Sequence, residues 1–473
     1  MENKKTCYIT TTLPYVNGEP HIGFATELIR ADAFARYQRL LGKEVFLNTG
    51  TDEHGQKIYD KAQEAGLDTQ TFVDGLAEEF KKLLPELGIL PEAHFIRTTD
   101  EHHKLAAQEM WRRCEANGDI YKDKQKVKYC KGCELEKTDS ELVDDKCPLH
   151  PNQDIEIREE ENYFFRFSKY QEPLLNLYKT NPRFVVPDFR MGEITKFVEG
   201  GLQDFSVSRL KSKMAWGVAV PGDEEQVMYV WFDALTNYIS TTGWPEKEDF
   251  EGWWPGIQFA GKDNLRQQSA IWQAMLMSAK LPTSKQIFIG GFINSGGQKM
   301  SKSLGNVISP YELIEKYGQE ATRYLLLRHV HPFEDTDVTW DRLDEWYTAN
   351  LVNGLGNLVS RVMKMAETHL DVPVEVAVAP ITMTRLDSFE FQTMMDMIWG
   401  VIQTQDEKIT ATEPFRLVKE DREAAVEIIK ALVNEINGIA TYLQPFMPET
   451  SKLILEAVKQ NKKPENLFAR LDK

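Results

Sequence analysis

The sequence has no uninterrupted apolar run long enough to cross a bilayer as a helix, no internal repeat and no Pro-, Ser- or Gln-rich tract. Its start, Met1-Glu2-Asn3-Lys4-Lys5-Thr6, leads into a short mixed segment without the apolar core and small-residue cleavage site of a signal peptide, so cytoplasmic residence is expected. Cysteine is scarce. There are five, an odd number, and three crowd into one stretch with a histidine, which argues against a secreted disulfide framework and for metal binding. Positive charge is also short: 56 Lys and Arg face 73 Asp and Glu, a formal net charge of −17. Nucleic acid is therefore not attracted by the surface as a whole, and any such contact must be confined to a local groove. No Walker-A pattern and no strand-linked G-x-G-x-x-G occurs, which disfavours P-loop ATPases and dinucleotide enzymes.

What is present is ordinary globular material, with 42% hydrophobic and 27% charged residues in 473. At roughly 100 to 200 residues per domain this supports about three units with sizeable cores. Residues 6–12 alternate and are rich in β-formers; Pro14-Tyr15-Val16-Asn17-Gly18 breaks the run; a helical pattern follows over residues 22–41. Residues 44–47 read as a second strand, and Asn48-Thr49-Gly50-Thr51-Asp52 as a turn-rich loop. A strand-helix-strand unit of this length implies parallel pairing, with nucleotides bound beyond the carboxyl ends of the strands, where His21 and Asp52 fall. Over residues 117–227 the texture changes to short strands and charge clusters, an insertion expected to carry its own small core. Residues 228–232, 258–260 and 286–289 then read as strands. Beyond residue 346 the pattern is helical, broken near residues 371–380 and at Pro414.

The fold class expected is α/β, a Rossmann-like parallel-sheet catalytic domain with a zinc-bearing insertion, followed by an α-helical bundle. The divisions expected are residues 1–116 and 228–345 for the two catalytic halves, 117–227 for the insertion and 346–473 for the bundle.

Pro20-His21-Ile22-Gly23-Phe24 puts a histidine at a helix start directly after a strand and turn. Backbone N–H groups there attract phosphate, Gly23 lets a ligand approach the backbone, and the imidazole can donate to developing negative charge. In isolation such a histidine is as well read as a helix cap. Lys299-Met300-Ser301-Lys302-Ser303 follows Gly296-Gly297, and two lysines on a glycine-hinged loop can swing over a triphosphate as pyrophosphate departs. The two motifs, in this order and separated by most of a nucleotide-binding fold, resemble the signatures of class I aminoacyl-tRNA synthetases. Phe24 departs from the usual signature, which ends in histidine or a small or polar residue.

Thr12-Leu13-Pro14-Tyr15, Thr51-Asp52-Glu53-His54-Gly55 and Tyr229-Val230-Trp231-Phe232-Asp233-Ala234 together resemble the methionyl-tRNA synthetases over nearly the whole chain. The resemblance implies methionine, ATP with Mg2+, and tRNA(Met) as substrates. It implies that His21, Lys299 and Lys302 are catalytic, and that His21, Gly23, Asp263, Lys299, Ser301 and Lys302 bind ATP. It assigns Asp52 to the substrate ammonium and Leu13, Tyr15, Trp231, Ala234, Leu235 and Tyr238 to the thioether pocket. Polarizable sulfur among aromatic rings suits that assignment, although each ring alone is more readily read as core, a preference that their joint placement at strand ends reverses. Gly261-Lys262-Asp263-Asn264-Leu265-Arg266-Gln267-Gln268 resembles the family's adenylate-binding segment; the resemblance also counts Gln268 among the methionine-binding residues, where many members have histidine, and an amide cannot titrate.

Cys130-Lys131-Gly132-Cys133 and Cys147-Pro148-Leu149-His150 give C-x2-C then C-x2-H, the spacing of a closed structural zinc site. In the family such zinc lies near the acceptor end of the tRNA, with a fourth cysteine more frequent than His150. Cys7 and Cys114 read as buried apolar residues. In the bundle, Asn357, Arg361, Pro414 and Phe415 resemble the family's anticodon readers, in which an aromatic stacks on a splayed base; an interhelical contact and a core phenylalanine are the plain alternative. A nucleotidyltransferase of the same superfamily would lack the insertion and bundle, and a silent tRNA-binding relative would not need Asp52 or the lysine loop. The form ending after the bundle is expected to be a monomer.

Overall fold

The computed structural model describes residues 6–137, 141–246, 250–300, 306–376 and 382–471. Six strands form the central sheet: β1 (Thr6–Thr11), β2 (Glu44–Thr51), β3 (His94–Arg97), β4 (Val185–Val186), β5 (Ile257–Gly261) and β6 (Gln286–Gly290), in the order β3-β2-β1-β5-β6-β4. Every neighbouring pair is parallel. Helices on both faces of such a sheet leave its central strands buried on both sides, and Cys7 to Thr11 of β1 are all buried. The crossover from β1 to β2 is the helix Ile22–Leu40, and the order turns back at β1, between β2 and β5, opening a crevice at the carboxyl edge.

Two sequence expectations fail here. The stretch 48–52, read as a loop, continues β2 as far as Thr51. Thr11 donates to Thr49 across the pair at 2.8 Å, and a Cβ on Gly50 would lie 1.8 Å from the Ile96 carbonyl oxygen. Glycine is there because β3 approaches so closely, and turn chemistry is not needed. The stretch 228–232, read as a strand, is the end of the strand Asp223–Met228 followed by a helical turn, Val230–Ala234. A short apolar run does not distinguish the two, and Tyr229 marks the switch in extended conformation.

Residues 117–227 fold around two small antiparallel sheets, one of Leu135–Lys137, Ile120–Cys130, Glu156–Phe165 and Phe205–Ser206, the other of Ala219–Val220, Asp223–Met228 and Ser208–Leu210. The separate core expected of this segment is instead shared. Phe165, Tyr170, Leu174 and Val207 pack in one cluster with Trp272, Ile287 and Ile289, because β4 from this segment is the edge of the central sheet. The last part is helical: Asn357–His369, Phe391–Thr412, Pro414–Leu417, Arg422–Leu443 and Pro448–Gln460. One apolar cluster runs from Ile9 and Phe259 to Leu432 and Ile454, so bundle and sheet are continuous. Arg323, fully buried, joins them, donating to Asp32 at 2.6 Å, the Leu87 carbonyl at 3.1 Å and the Phe446 carbonyl at 2.8 Å. Among the described residues no helix is long and apolar enough to cross a membrane.

Candidate active site

The loop after β1 and the loop after β2 are held together across the crevice. Asp52 N–H donates to the Pro14 carbonyl at 2.9 Å and Val16 N–H to the Asp52 carbonyl at 3.1 Å, so Tyr15 and Asp52 lie side by side. Asp52 is 5% exposed, and its Oδ1 has no hydrogen-bond partner among the described residues. Burial pushes its carboxyl well above the ordinary carboxylate range, with the Asp233 and Glu134 carboxylates adding to the shift. A buried anion with an orphaned oxygen is costly unless a cation arrives.

Of the residues assigned to the thioether pocket, Tyr15 adjoins Asp52 and Tyr238 is near enough to feel its charge. Ala234, Leu235 and Tyr238 are buried, and Trp231 lies in the helical turn Val230–Ala234, its indole N–H without a partner among the described residues. Leu13 and Tyr15 are half-buried. Gln268 lies in a wide π-helical turn, Gln267–Ile271, and its amide is fixed in orientation: it donates to the Tyr238 hydroxyl at 2.6 Å and accepts from Gln258 at 3.0 Å. This chain thus meets the histidine departure with a neutral hydrogen-bond chain that does not titrate.

The residues beneath the wall were not singled out from sequence. Asp233 is gripped by His54 Nδ1 at 2.5 Å and His103 Nε2 at 2.9 Å, all three side chains buried, and His103 reaches on to Ser240 at 2.9 Å. Burial alone would raise the Asp233 carboxyl; the two imidazoles hold it at about 2. This clamp pins the Val230–Ala234 turn to the loop carrying Asp52. The quoted motifs contain His54 and Asp233, but no spacing rule joins residues 54, 103 and 233.

On the nucleotide side, His21 is the N-cap of Ile22–Leu40, and its Nδ1 accepts from Gly23 N–H at 3.1 Å. That contact places the ring proton on Nε2. A Cβ on Gly23 would come within 2.8 Å of the imidazole, so the glycine is what admits the ring. Phe24 is 7% exposed and meets Phe80 edge-on at 5.3 Å, a core residue in this chain. Glu27, also missed, takes hydrogen bonds from Thr12 N–H at 2.8 Å and Thr12 Oγ1 at 2.6 Å, and desolvation pushes its carboxyl up to about 8. Asp263 follows β5, with its charge felt at Glu27, so the ends of β1 and β5 face one another. Lys299 lies in the short strand Gln298–Lys299 after a turn in which Gly296 and Gly297 both have positive φ. Ser301 and Lys302 lie outside the described residues.

Cys130, Cys133, Cys147 and His150 converge, their ligand atoms all within 4.8 Å of one another. Cys133 and Cys147 Sγ are 3.3 Å apart, too far for a disulfide, and His150 Nδ1 lies 3.2 Å from Cys133 Sγ and 3.9 Å from Cys130 Sγ. Tetrahedral edges of about 3.5–3.8 Å follow from metal–sulfur bonds of about 2.3 Å, so the set fits one metal ion. A Cβ on Gly132 would come within 2.2 Å of the His150 ring. Cys7 and Cys114 are buried apart from it, as expected.

In the bundle, Asn357 is exposed, Arg361 is half-buried and bridged to Asp406 at 2.8 Å, and Pro414 is buried. Phe415 is 45% exposed, with the Arg416 guanidinium 5.7 Å from its ring centre. A core role for Phe415 is excluded by that exposure.

The model for class I tRNA synthetases of the methionine type matches residues 7–155 and 134–363, and the model for the anticodon binding domain of methionyl tRNA ligase matches residues 364–472. The chain belongs to the methionyl-tRNA synthetase family. A methionine–tRNA ligase of Thermotoga maritima is 40% identical over 97% of the chain and 76% of its own length, and one of Thermosynechococcus vestitus is 40% identical over 94% and 88%. The structure of the Mycobacterium tuberculosis methionyl-tRNA synthetase in complex with methionyl-adenylate superposes with a TM-score of 0.89 at 35% identity, covering 96% of this chain and 93% of that one. Its apo form gives 0.83 at 30% identity over 99% of each chain.

Proposed function

We propose that this chain activates L-methionine with ATP to methionyl-adenylate and pyrophosphate, then transfers methionine to the 3′ end of tRNA(Met). The observation that carries the reading is the buried, half-unpaired Asp52 carboxylate, set beside Tyr15 and near Tyr238 at the switch point of a parallel sheet. Asp52 takes the ammonium, and the aromatic and aliphatic wall takes the thioether chain. That leaves the substrate carboxylate directed at the α-phosphate beside His21. A carboxylate oxygen forms the new O–P bond as the bond to pyrophosphate breaks, and charge grows on the equatorial oxygens. His21 Nε2–H and the helix N-terminus stabilise that charge, assisted by Lys299 and Lys302 from the glycine-hinged loop. Gly23, Asp263 and Ser301 complete the nucleotide site, and ATP enters with Mg2+ as its counter-ion. A 2′- or 3′-hydroxyl of the tRNA then attacks the acyl carbon, and AMP leaves. Methionine-dependent ATP–pyrophosphate exchange followed by charging of tRNA(Met) tests the reading; a protein that supports neither reaction overturns it.

The divisions at residues 116, 227 and 345 are retained as the domain boundaries, with the helical part reading the anticodon through Asn357, Arg361, Pro414 and Phe415. Phe415→Ala is expected to lower kcat/KM for tRNA by about 5- to 150-fold, the range of one base–aromatic stack, with pyrophosphate exchange within about twofold. Because the ring is exposed, the melting temperature should not move. Unchanged charging would remove Phe415 from the anticodon site.

The metal held by Cys130, Cys133, Cys147 and His150 is zinc, and it is structural, since four protein ligands leave no position for water. Elemental analysis should find about one zinc per chain, and Cys133→Ser should lose most of it and melt at lower temperature. A purified protein without zinc would refute the assignment.

A further inference from the structure

The knuckle formed by Cys130 to Cys133 does not stand apart from the amino-acid pocket. Glu134, the residue after Cys133, is 8% exposed and has a positive φ of 51°. Tyr15 donates its hydroxyl proton to Glu134 Oε1 at 3.2 Å. Lys57, on the helix Gln56–Glu64 just after Asp52, donates to the Gly132 carbonyl at 2.9 Å and lies 3.6 Å from the same Glu134 oxygen. At the same hydroxyl, a Cβ on Gly55 would come within 2.5 Å of the oxygen. The hydroxyl thus meets a glycine that leaves it room and a carboxylate carried by the knuckle.

We propose that Glu134 is a positioning residue of the amino-acid site, fixing Tyr15 beside Asp52, so that the metal knuckle forms one support of the pocket for an α-amino acid with an unbranched apolar side chain. The proposal rests on the methionine reading. It gives the insertion a task in the first half-reaction, independent of any contact with tRNA. The anchoring is mutual: Lys57 ties Gly132 and Glu134 to the Asp52 loop, while the metal ligands fix the backbone from which Glu134 projects. A hydrogen bond at the hydroxyl and the close backbone approach at Gly55 leave the tyrosine little rotamer freedom before substrate arrives, and ordering the wall in advance raises affinity.

The test is equilibrium binding of methionine without ATP, followed by intrinsic tryptophan fluorescence on zinc-saturated protein, with zinc content and melting temperature measured alongside. Glu134→Ala should weaken methionine binding about 10-fold, within the range of a lost hydrogen bond to a charged group. Glu134→Gln keeps an acceptor for Tyr15 and should stay within about threefold of the parent. Glu134→Asp keeps the charge but withdraws the acceptor by one methylene, and should behave like the alanine variant even if that one folds poorly. Tyr15→Phe should remove most of the dependence on residue 134, so the double variant is no weaker than about twofold below Tyr15→Phe alone. If Glu134 served the knuckle only, the alanine and aspartate variants would lose zinc or stability and bind methionine like the parent once saturated; that result overturns the proposal, as do fully additive effects. A flat methionine titration of the parent would instead refute the functional reading itself.

Discussion

Asp52→Asn is expected to lower kcat/KM for methionine by on the order of 10²- to 10³-fold while leaving the ligand-free protein at least as stable as the parent. The first half follows from removing one partner of a buried ion pair, which costs about 3–5 kcal/mol, or tenfold for each 1.4 kcal/mol. The second follows from what Asp52 does without substrate. Its Oδ1 is unpaired, and burial, with Asp233 and Glu134 near, raises its pKa. A group whose folded pKa exceeds its unfolded value favours folding fully below that unfolded value, here about 3.8, and the contribution is lost as pH rises through the folded value. At neutral pH the empty pocket therefore carries a cost, which asparagine removes along with its pH dependence. Melting curves of parent and variant from acid to neutral pH should diverge upward in favour of the variant, and saturating methionine should stabilise only the parent. A variant that melts well below the parent would show that Asp52 already has a structural partner, and unchanged methionine kinetics would end its role.

Much of this site was legible because its chemistry is local. His21 with Gly23, and the Cys130, Cys133, Cys147 and His150 spacing, each declare themselves within a few residues, since a helix N-terminus and a metal knuckle are short-range devices. The sheet was legible for the same reason, except where packing outweighed local preference: Gly50 looks like a turn until Ile96 is seen to need its space, and the chain turns helical at Val230 directly after the strand Asp223–Met228. What sequence did not reveal is held across long separations. Asp233 is clamped by His54 and His103, residues 179 and 130 positions away, and Glu134 meets Tyr15 from 119 positions away. Such contacts leave no periodicity; an acidic residue directly after a metal-binding cysteine, or in a motif otherwise apolar, is their only trace. Phe24 shows the converse. Its departure from the signature raised the question of a lost imidazole, and packing against Phe80 answers it, because that position faces the core and not the crevice.

His21→Ala should lower turnover for adenylate formation by about 10²- to 10³-fold, the usual effect of removing one oxyanion donor, with methionine binding in the absence of ATP unchanged. The geometry raises a competing account, because His21 also caps the helix Ile22–Leu40 through Nδ1 and Gly23 N–H. Losing a cap costs about 0.5–2 kcal/mol of stability and shifts the first helical turn, which itself points N–H groups at phosphate. His21→Asn separates the two. Asparagine is a good N-cap, so it should restore the melting temperature, but its shorter amide does not reach where the Nε2 proton sits and turnover should remain at least about tenfold below the parent. Those outcomes would give the two nitrogens of one ring different tasks, Nδ1 fixing its orientation and Nε2 meeting the charge that develops only in the transition state. An asparagine variant with parental turnover would mean that capping is the whole of the contribution, and phosphate stabilisation would then fall to the helix N-terminus and the lysines of the glycine-hinged loop.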